Sequence, residues 1–119
     1  MKNYAIVLLV SLLVTPIFSQ SEKDYNETIS LIQSSFNEKN PSLNYNKFES
    51  NLKTKLEEKK FKNSIDSLYA EKGSIQSYEF LMEEDKERSF LVEFESASML
   101  MLLNLTPSGE ISLFKIKEY

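Results

Sequence analysis

The chain has 119 residues, with 18 acidic and 14 basic side chains, a net charge of −4, no histidine and no cysteine. A domain of this length can bury enough apolar surface to fold without crosslinks, and the lack of cysteine excludes both a disulfide framework and lipid attachment through a thiol. The acidic balance argues against nucleic acid as a partner, because such a site needs a basic surface that releases counterions.

An apolar run over residues 5–18 (AIVLLVSLLVTPIF) follows the basic residue Lys2. The run is shorter than the roughly 20 apolar residues that span a bilayer as a helix, and its outline is typical of a secretory signal peptide. We therefore expect residues 1–19 to be a signal peptide, cleaved near Ser19 or Gln20. Retention of the segment as an uncleaved anchor is the alternative.

Residues 20–119 are then expected to form a single secreted or periplasmic domain with no stable membrane insertion. Its net charge is −5, because the removed segment carries one basic and no acidic residue. Its first half contains three apolar stripes at helical spacing: Tyr25, Ile29, Ile32 and Phe36; Tyr45, Phe48, Leu52 and Leu56; and Phe61, Ile65 and Leu68.

The first stripe predicts a helix over residues 22–37, which ends before the turn-forming segment 37–42 that contains Pro41. The five-residue step from Leu56 to Phe61 turns the stripe by about 140° on a straight helix. The second and third stripes therefore predict two helices, or one bent helix, ending at Gly73.

After Gly73 the apolar period changes from 3.6 to 2, which predicts four antiparallel strands over residues 75–83, 88–95, 98–106 and 110–118. Turns at Ser96–Ala97 and Ser108–Gly109, and a three-residue loop over 85–87, would set the register. The expected pairs are Phe94 with Met99, Val92 with Met101, Phe90 with Leu103, Leu103 with Phe114, Met101 with Ile116, Leu81 with Leu91, and Glu79 with Glu93. One face of this sheet is apolar and should meet the helices.

Three helical stripes followed by a four-stranded meander resemble the nuclear transport factor two-like fold, which ketosteroid isomerase shares. The chain is most similar to a small exported bacterial domain of unknown function with that fold. The resemblance is carried by the stripes above and by GSIQS (73–77), FLVEFE (90–95), MLLNLTPSGEI (101–111) and FKI (114–116). It implies an α+β cone, with two or three helices packed on a curved antiparallel sheet. The fold serves isomerases, dehydratases, adaptors, immunity proteins and assembly modules, so it does not by itself assign a function.

Enzymes of that superfamily use carboxylates, tyrosines or histidines that project into the interior. This chain has no histidine, and its predicted inward faces hold no Asp or Glu. Tyr45, Tyr69 and Tyr78 are the candidate pocket residues: a tyrosine hydroxyl there could donate to an oxyanion, or the rings could simply belong to the core. We predict no catalytic residue, no cofactor and no metal ligand.

The opposite face of the predicted sheet carries two unusual features. Glu79 and Glu93 would face each other, where they could share a proton, bind calcium or a basic partner, or form a solvated acidic surface. A calcium site needs six or more oxygen ligands, and no Asp-rich loop supplies them. The second feature is a group of leucines on a face that should be polar if it met only water: Leu81, Leu91, Leu100, Leu102 and Leu113.

We expect these leucines to be covered by a second copy of the chain or by another exported protein. Scattered surface leucines, or cover by the chain ends, are the alternative. The predicted function is a non-enzymatic exported interaction or assembly module that associates through this face. The alternative is a small apolar-ligand-binding protein, or a weak isomerase-like enzyme, that uses the interior.

Overall fold

The computed structural model describes residues 22–119, so the signal peptide expected over residues 1–19 lies outside the described residues. Contacts between Cα atoms divide the chain into two units, Met1–Ser30 and Leu31–Tyr119. The described part of the first unit is helical and buries Tyr25, Thr28 and Ile29. The chain is helical throughout residues 22–37, and this helix, called α1, ends at residue 37 as predicted.

The second unit continues from the last turns of α1 into three further helices: α2 (Pro41–Tyr45), α3 (Ser50–Lys55) and α4 (Glu58–Lys72). Pro41 occupies the first turn of α2, where its missing N–H costs no hydrogen bond. Gly73 follows α4 with a positive φ of 84°, so the predicted helix end is confirmed.

The second stripe was predicted to lie on one helix, and that prediction is wrong. Phe48 lies between α2 and α3 and pairs with Ile111 in an isolated parallel bridge. The Ile111 N–H donates to the Lys47 carbonyl at 2.7 Å, and the Glu49 N–H donates to the Ile111 carbonyl at 2.9 Å. These bonds hold the backbone around Phe48 in an extended form and divide the stripe between two short helices.

Four strands follow: β1 (Ile75–Glu84), β2 (Glu87–Phe94), β3 (Ser98–Leu105) and β4 (Ile111–Glu118). They form one antiparallel sheet in the order β1-β2-β3-β4. The change from a helical to an alternating period at Gly73 thus predicted the element types, and each strand bound lies within one residue of its prediction. The described chain is an α+β fold, with helices followed by a four-stranded antiparallel sheet.

The turn between β2 and β3 lies one residue earlier than expected, at Glu95 and Ser96, so the predicted register is wrong by two residues. Val92 pairs with Met99, Phe90 with Met101, and Arg88 with Leu103. A shift of two leaves every side chain on its predicted face, because side chains alternate with a period of two. The cause is tertiary: the Ser96 N–H donates to the Lys72 carbonyl, and the Glu95 N–H to the Ser74 carbonyl, each at 3.1 Å.

The β1–β2 hairpin also differs from its prediction. Its turn has two residues, Asp85 and Lys86, with positive φ angles of 50° and 70°. This is the backbone of a tight type I′ turn, which Gly and Asn usually occupy. A register shift between Phe80 and Met82 leaves Leu81 without a cross-strand partner. Leu81 therefore does not pair with Leu91, contrary to the prediction.

The β3–β4 register is confirmed, with Leu103 opposite Phe114 and Met101 opposite Ile116. The turn itself was predicted at Ser108 and Gly109 but lies at Pro107 and Ser108, where the Gly109 N–H donates to the Thr106 carbonyl at 2.9 Å. In spite of the three misplaced turns, Phe80, Val92, Met101 and Phe114 lie on one side of the sheet, as predicted, and this side is here called the inner face. Its central members Val92, Met101 and Leu103 are 1% exposed or less.

Aromatic rings join the helices of the second unit to this inner face. Phe36 of α1 packs edge-on against Phe94 of β2 with ring centroids 5.3 Å apart. Phe61 of α4 and Phe48 both pack on Phe114 of β4, at 5.9 and 6.0 Å. The apolar core of this unit therefore lies between its helices and the inner face.

Candidate functional site

The outer face is the side of the sheet opposite Val92 and Met101. Strand pairing arranges its residues in cross-strand rows running from β1 to β4. The first row is Glu79, Leu91, Leu100 and Lys117, and the second row is Met82, Ser89, Leu102 and Lys115. Each row starts at one edge strand of the sheet and ends at the other, because β1 and β4 are its edges.

The centre of the outer face is apolar. Leu91 of β2 and Leu100 of β3 lie directly opposite each other, and Leu102 occupies the next row on β3. All three side chains are half-buried. Met82, at the start of the second row, is 52% exposed. The helix-to-sheet ring contacts described above use inner-face residues and do not involve these leucines.

The edges of the outer face carry charge of opposite sign. Glu79 lies on β1, whereas Lys115 and Lys117 lie on β4, and all three are exposed. The apolar centre thus lies between an acidic side and a basic side. An antiparallel sheet that met only water would carry polar residues across this whole face.

The remaining two predicted surface leucines are placed differently from the central three. Leu113 of β4 lies opposite Asn104 and is half-buried at the far end of the outer face. Leu81 lies in the irregular part of β1 and is 39% exposed. The structure therefore brings Leu91, Leu100 and Leu102 together, adds Leu113 at one end, and sets Leu81 apart on the edge strand.

The predicted acidic pair does not form. Glu79 lies opposite Leu91, and Glu93 lies opposite Ser77, because the register differs from the one expected. The Glu93 carboxylate instead accepts a hydrogen bond of 2.8 Å from the Ser98 hydroxyl. Among residues 22–119, no group of three or more acidic, cysteine or histidine side chains is placed to hold a metal ion.

The three predicted pocket tyrosines have separate surroundings. The Tyr45 hydroxyl donates to the Leu56 carbonyl at 2.8 Å, and this hydrogen bond links α2 to the residue after α3. The Tyr69 ring packs 5.4 Å from Phe36, and Tyr78 lies opposite Val92 in the sheet.

Two cavities bear on binding of an apolar ligand. The space lined by α1, α2 and α4 residues such as Phe36, Asn44 and Ile65 has a volume of about 10 Å³, which is at the lower limit for a single water molecule. A cleft beside Phe61 and Phe114 reaches about 250 Å³, below the roughly 300 Å³ at which small-molecule sites begin. Neither of these two cavities is lined by the three tyrosines. Tyr69 instead lines a separate, open cleft of about 750 Å³ together with charged residues such as Lys39, Asp66 and Glu95.

Arg88 is a feature that the sequence reasoning missed. It is 8% exposed on the inner face, and its Nε lies 3.4 Å from an oxygen of Glu83. Its guanidinium also lies 5.2 Å from the centre of the Phe80 ring. The signal was available, because Arg88 has the same parity as Phe90 and Val92 in the alternating pattern of β2.

Comparison of the chain with protein-family models, with curated proteins and with solved structures found no match. No helix in the described range 22–119 is long and apolar enough to cross a membrane. The class that the structure defines is an α+β fold whose sheet packs its inner face on the helices and carries leucines at the centre of its outer face. The outer face is the candidate functional site.

Proposed function

We propose that this protein is an exported, non-enzymatic interaction module that associates with other protein through the outer face of its sheet. The observation that carries the proposal is the directly opposed pair Leu91 and Leu100, with Leu102 beside it, on the face turned away from the inner-face core. Burying such side chains is worth roughly 25 cal/mol for each Å² of apolar surface removed from water. A contiguous apolar centre with a polar rim is the usual anatomy of a protein-binding surface.

Export is proposed on the amino-terminal pattern described above, a basic residue followed by an apolar run. We also propose that the chain has the nuclear transport factor two-like fold. The support is the order of its elements, because that fold has a four-stranded meander after its helices, as this chain does. The fold hosts enzymes and assembly modules alike. The assignment to a non-enzymatic module rests on the outer face and on the separate surroundings of Tyr45, Tyr69 and Tyr78.

The test is a charge placed at the centre of the outer face. Leu91→Arg should abolish association, because a guanidinium at a closed apolar contact loses its water without gaining a partner. The matched control is Leu43→Arg, which adds the same charge at a leucine of α2 that is 39% exposed and lies outside the sheet. Both variants should keep the circular dichroism spectrum and unfolding midpoint of the parent protein.

The association is measured in two ways, both on protein recovered from outside the cytoplasm. The mass of this protein should show that residues 1–19 or 1–20 have been removed. Light scattering reports self-association, and affinity capture on immobilised protein reports binding to other exported proteins. Support requires that the parent and Leu43→Arg associate in at least one measurement and that Leu91→Arg does not. The proposal is overturned if Leu91→Arg associates as well as the control, or if the parent protein associates in neither measurement.

A further inference from the structure

The charges along the outer-face rows specify what this surface can bind. Each row runs from β1 to β4, and the first row carries Glu79 at one end and Lys117 at the other, with Leu91 and Leu100 between them. Such a row is complementary to its own reversed copy: acid meets base at each end, and leucine meets leucine in the middle. Self-complementarity of a single patch is what a two-fold symmetric dimer requires.

We propose that the outer face binds a second copy of the chain, with a two-fold axis that runs parallel to the strands between β2 and β3. This inference rests on the proposed function and adds the identity and orientation of the partner. Two sheets in face-to-face contact are related by an axis lying in the plane between them. An axis along the strands places β1 of one copy over β4 of the other, so Glu79 faces the second copy's Lys117 on both sides of the dimer.

The other aligned orientation, with the axis perpendicular to the strands, is disfavoured by the same charges. It would place each edge strand over its own counterpart, with Glu79 over Glu79 and Lys117 over Lys117. Like charges brought together at an interface oppose association. The charge arrangement therefore selects one of the two ways in which aligned sheets can pack, with the strands of the copies crossing at about 30°.

The dimensions of the face set the strength of the contact. Four strands spaced by about 4.8 Å, each presenting roughly seven residues at about 3.4 Å per residue, offer a face of about 19 by 24 Å. Two copies together would bury about 900 Å², at the low end of specific protein interfaces, where association is weak or transient. The dimer should therefore be populated at high protein concentration and weakened by salt, because its rim pairs are exposed.

Charge exchange tests the orientation. Glu79→Lys and Lys117→Glu should each weaken dimerisation by roughly tenfold, since each turns two attractive pairs into repulsive ones. The double variant E79K/K117E should recover the parent's dissociation constant to within about threefold, because the exchange restores both pairs. Glu38→Lys is the matched control, since it makes the same charge change at an exposed residue near the end of α1 and outside the sheet. Sedimentation equilibrium up to about 1 mM protein supplies the constants.

Crosslinking gives an independent readout, since the chain has no cysteine of its own. Glu79→Cys and Lys117→Cys proteins are mixed and treated with a bismaleimide that spans about 10 Å, the usual separation of packed sheets. The proposed axis predicts crosslinks between the two variants and few within either one alone. Crosslinks of Glu79→Cys to itself would overturn the orientation.

The experiments distinguish a failure of the proposed dimer from a failure of the proposed function. A chain that stays monomeric at about 1 mM, but captures another exported protein in a Leu91-dependent manner, overturns the second copy as partner and leaves the proposed function standing. A chain with no Leu91-dependent association of either kind overturns both. If the single variants weaken dimerisation and E79K/K117E does not restore the parent's dissociation constant, the proposed pairing of Glu79 with Lys117 is overturned.

Discussion

Gly73 and Gly109 form a matched pair that tests how α4 is joined to the sheet. Both have positive φ angles, 84° and 85°. A Cβ built at Gly73 would lie 2.8 Å from the Cβ of Glu95, whereas one built at Gly109 would meet nothing within 4 Å. Substitution by alanine therefore strains the backbone at both sites. Gly73 also has a ψ of −164°, in a region that only glycine adopts readily, and it is the only one of the two sites where the new Cβ collides with a neighbour.

The two contributions can be estimated separately. An alanine in the left-handed region costs about 1–2 kcal/mol, partly offset by about 0.4–1 kcal/mol because alanine restricts the unfolded chain. Gly109→Ala should thus lower the free energy of unfolding by about 1 kcal/mol. Gly73→Ala should lower it by about 2–4 kcal/mol, because crowding against Glu95 adds about 1–3 kcal/mol.

Urea unfolding followed by circular dichroism measures both variants, and E95G with G73A/E95G completes a double-mutant cycle. Glu95→Gly removes the Cβ that a residue 73 side chain would meet. It also removes the hydrogen bond of 2.9 Å that the Ser74 hydroxyl donates to the Glu95 carboxylate, an effect that the cycle subtracts. The cycle should show that Glu95→Gly relieves the part of the cost at Gly73 that comes from crowding. Equal losses for the two glycine variants, within about 0.5 kcal/mol, would refute the reasoning.

Two further variants test hydrogen bonds that link distant segments. Asn37→Ala should lower the free energy of unfolding by about 1–3 kcal/mol, since Asn37 accepts from the buried Ile75 N–H at 2.7 Å and donates to its carbonyl at 2.9 Å. Asn63→Ala, at an exposed residue of α4, is the control. If Asn37→Ala lowers the free energy of unfolding no more than Asn63→Ala does, the prediction is contradicted. Tyr45→Phe should cost about 1 kcal/mol, because it removes the bond to the Leu56 carbonyl and keeps the ring contact with Phe48. Tyr119→Phe, at a side chain that is 76% exposed, is the control and should leave the urea midpoint unchanged. An unchanged midpoint for Tyr45→Phe as well would show that the hydrogen bond does not contribute to stability.

The candidate site was partly predictable from the sequence. The alternation in β2 and β3 was enough to place Leu91, Leu100 and Leu102 on one face and Val92 and Met101 on the other. It was not enough to predict which residues lie side by side, so the expected Leu81–Leu91 and Glu79–Glu93 pairs are wrong. The charged ends of the first row, Glu79 and Lys117, became visible only when the register was known.

The sequence by itself determined the element types and the side of the sheet on which the residues of β2 and β3 lie, because hydrophobic period is a local property that a register shift of two does not alter. It did not determine this throughout β1, where the irregularity at Leu81 places Met82 on the outer face, against the alternation. Tertiary structure decided the pairing and the helix breaks, because both depend on hydrogen bonds between segments far apart in the chain. The Lys72 and Ser74 carbonyls hold the β2–β3 turn at Glu95 and Ser96, and Ile111 holds the segment around Phe48 out of a helix. Such bonds have no signature in the spacing of apolar residues.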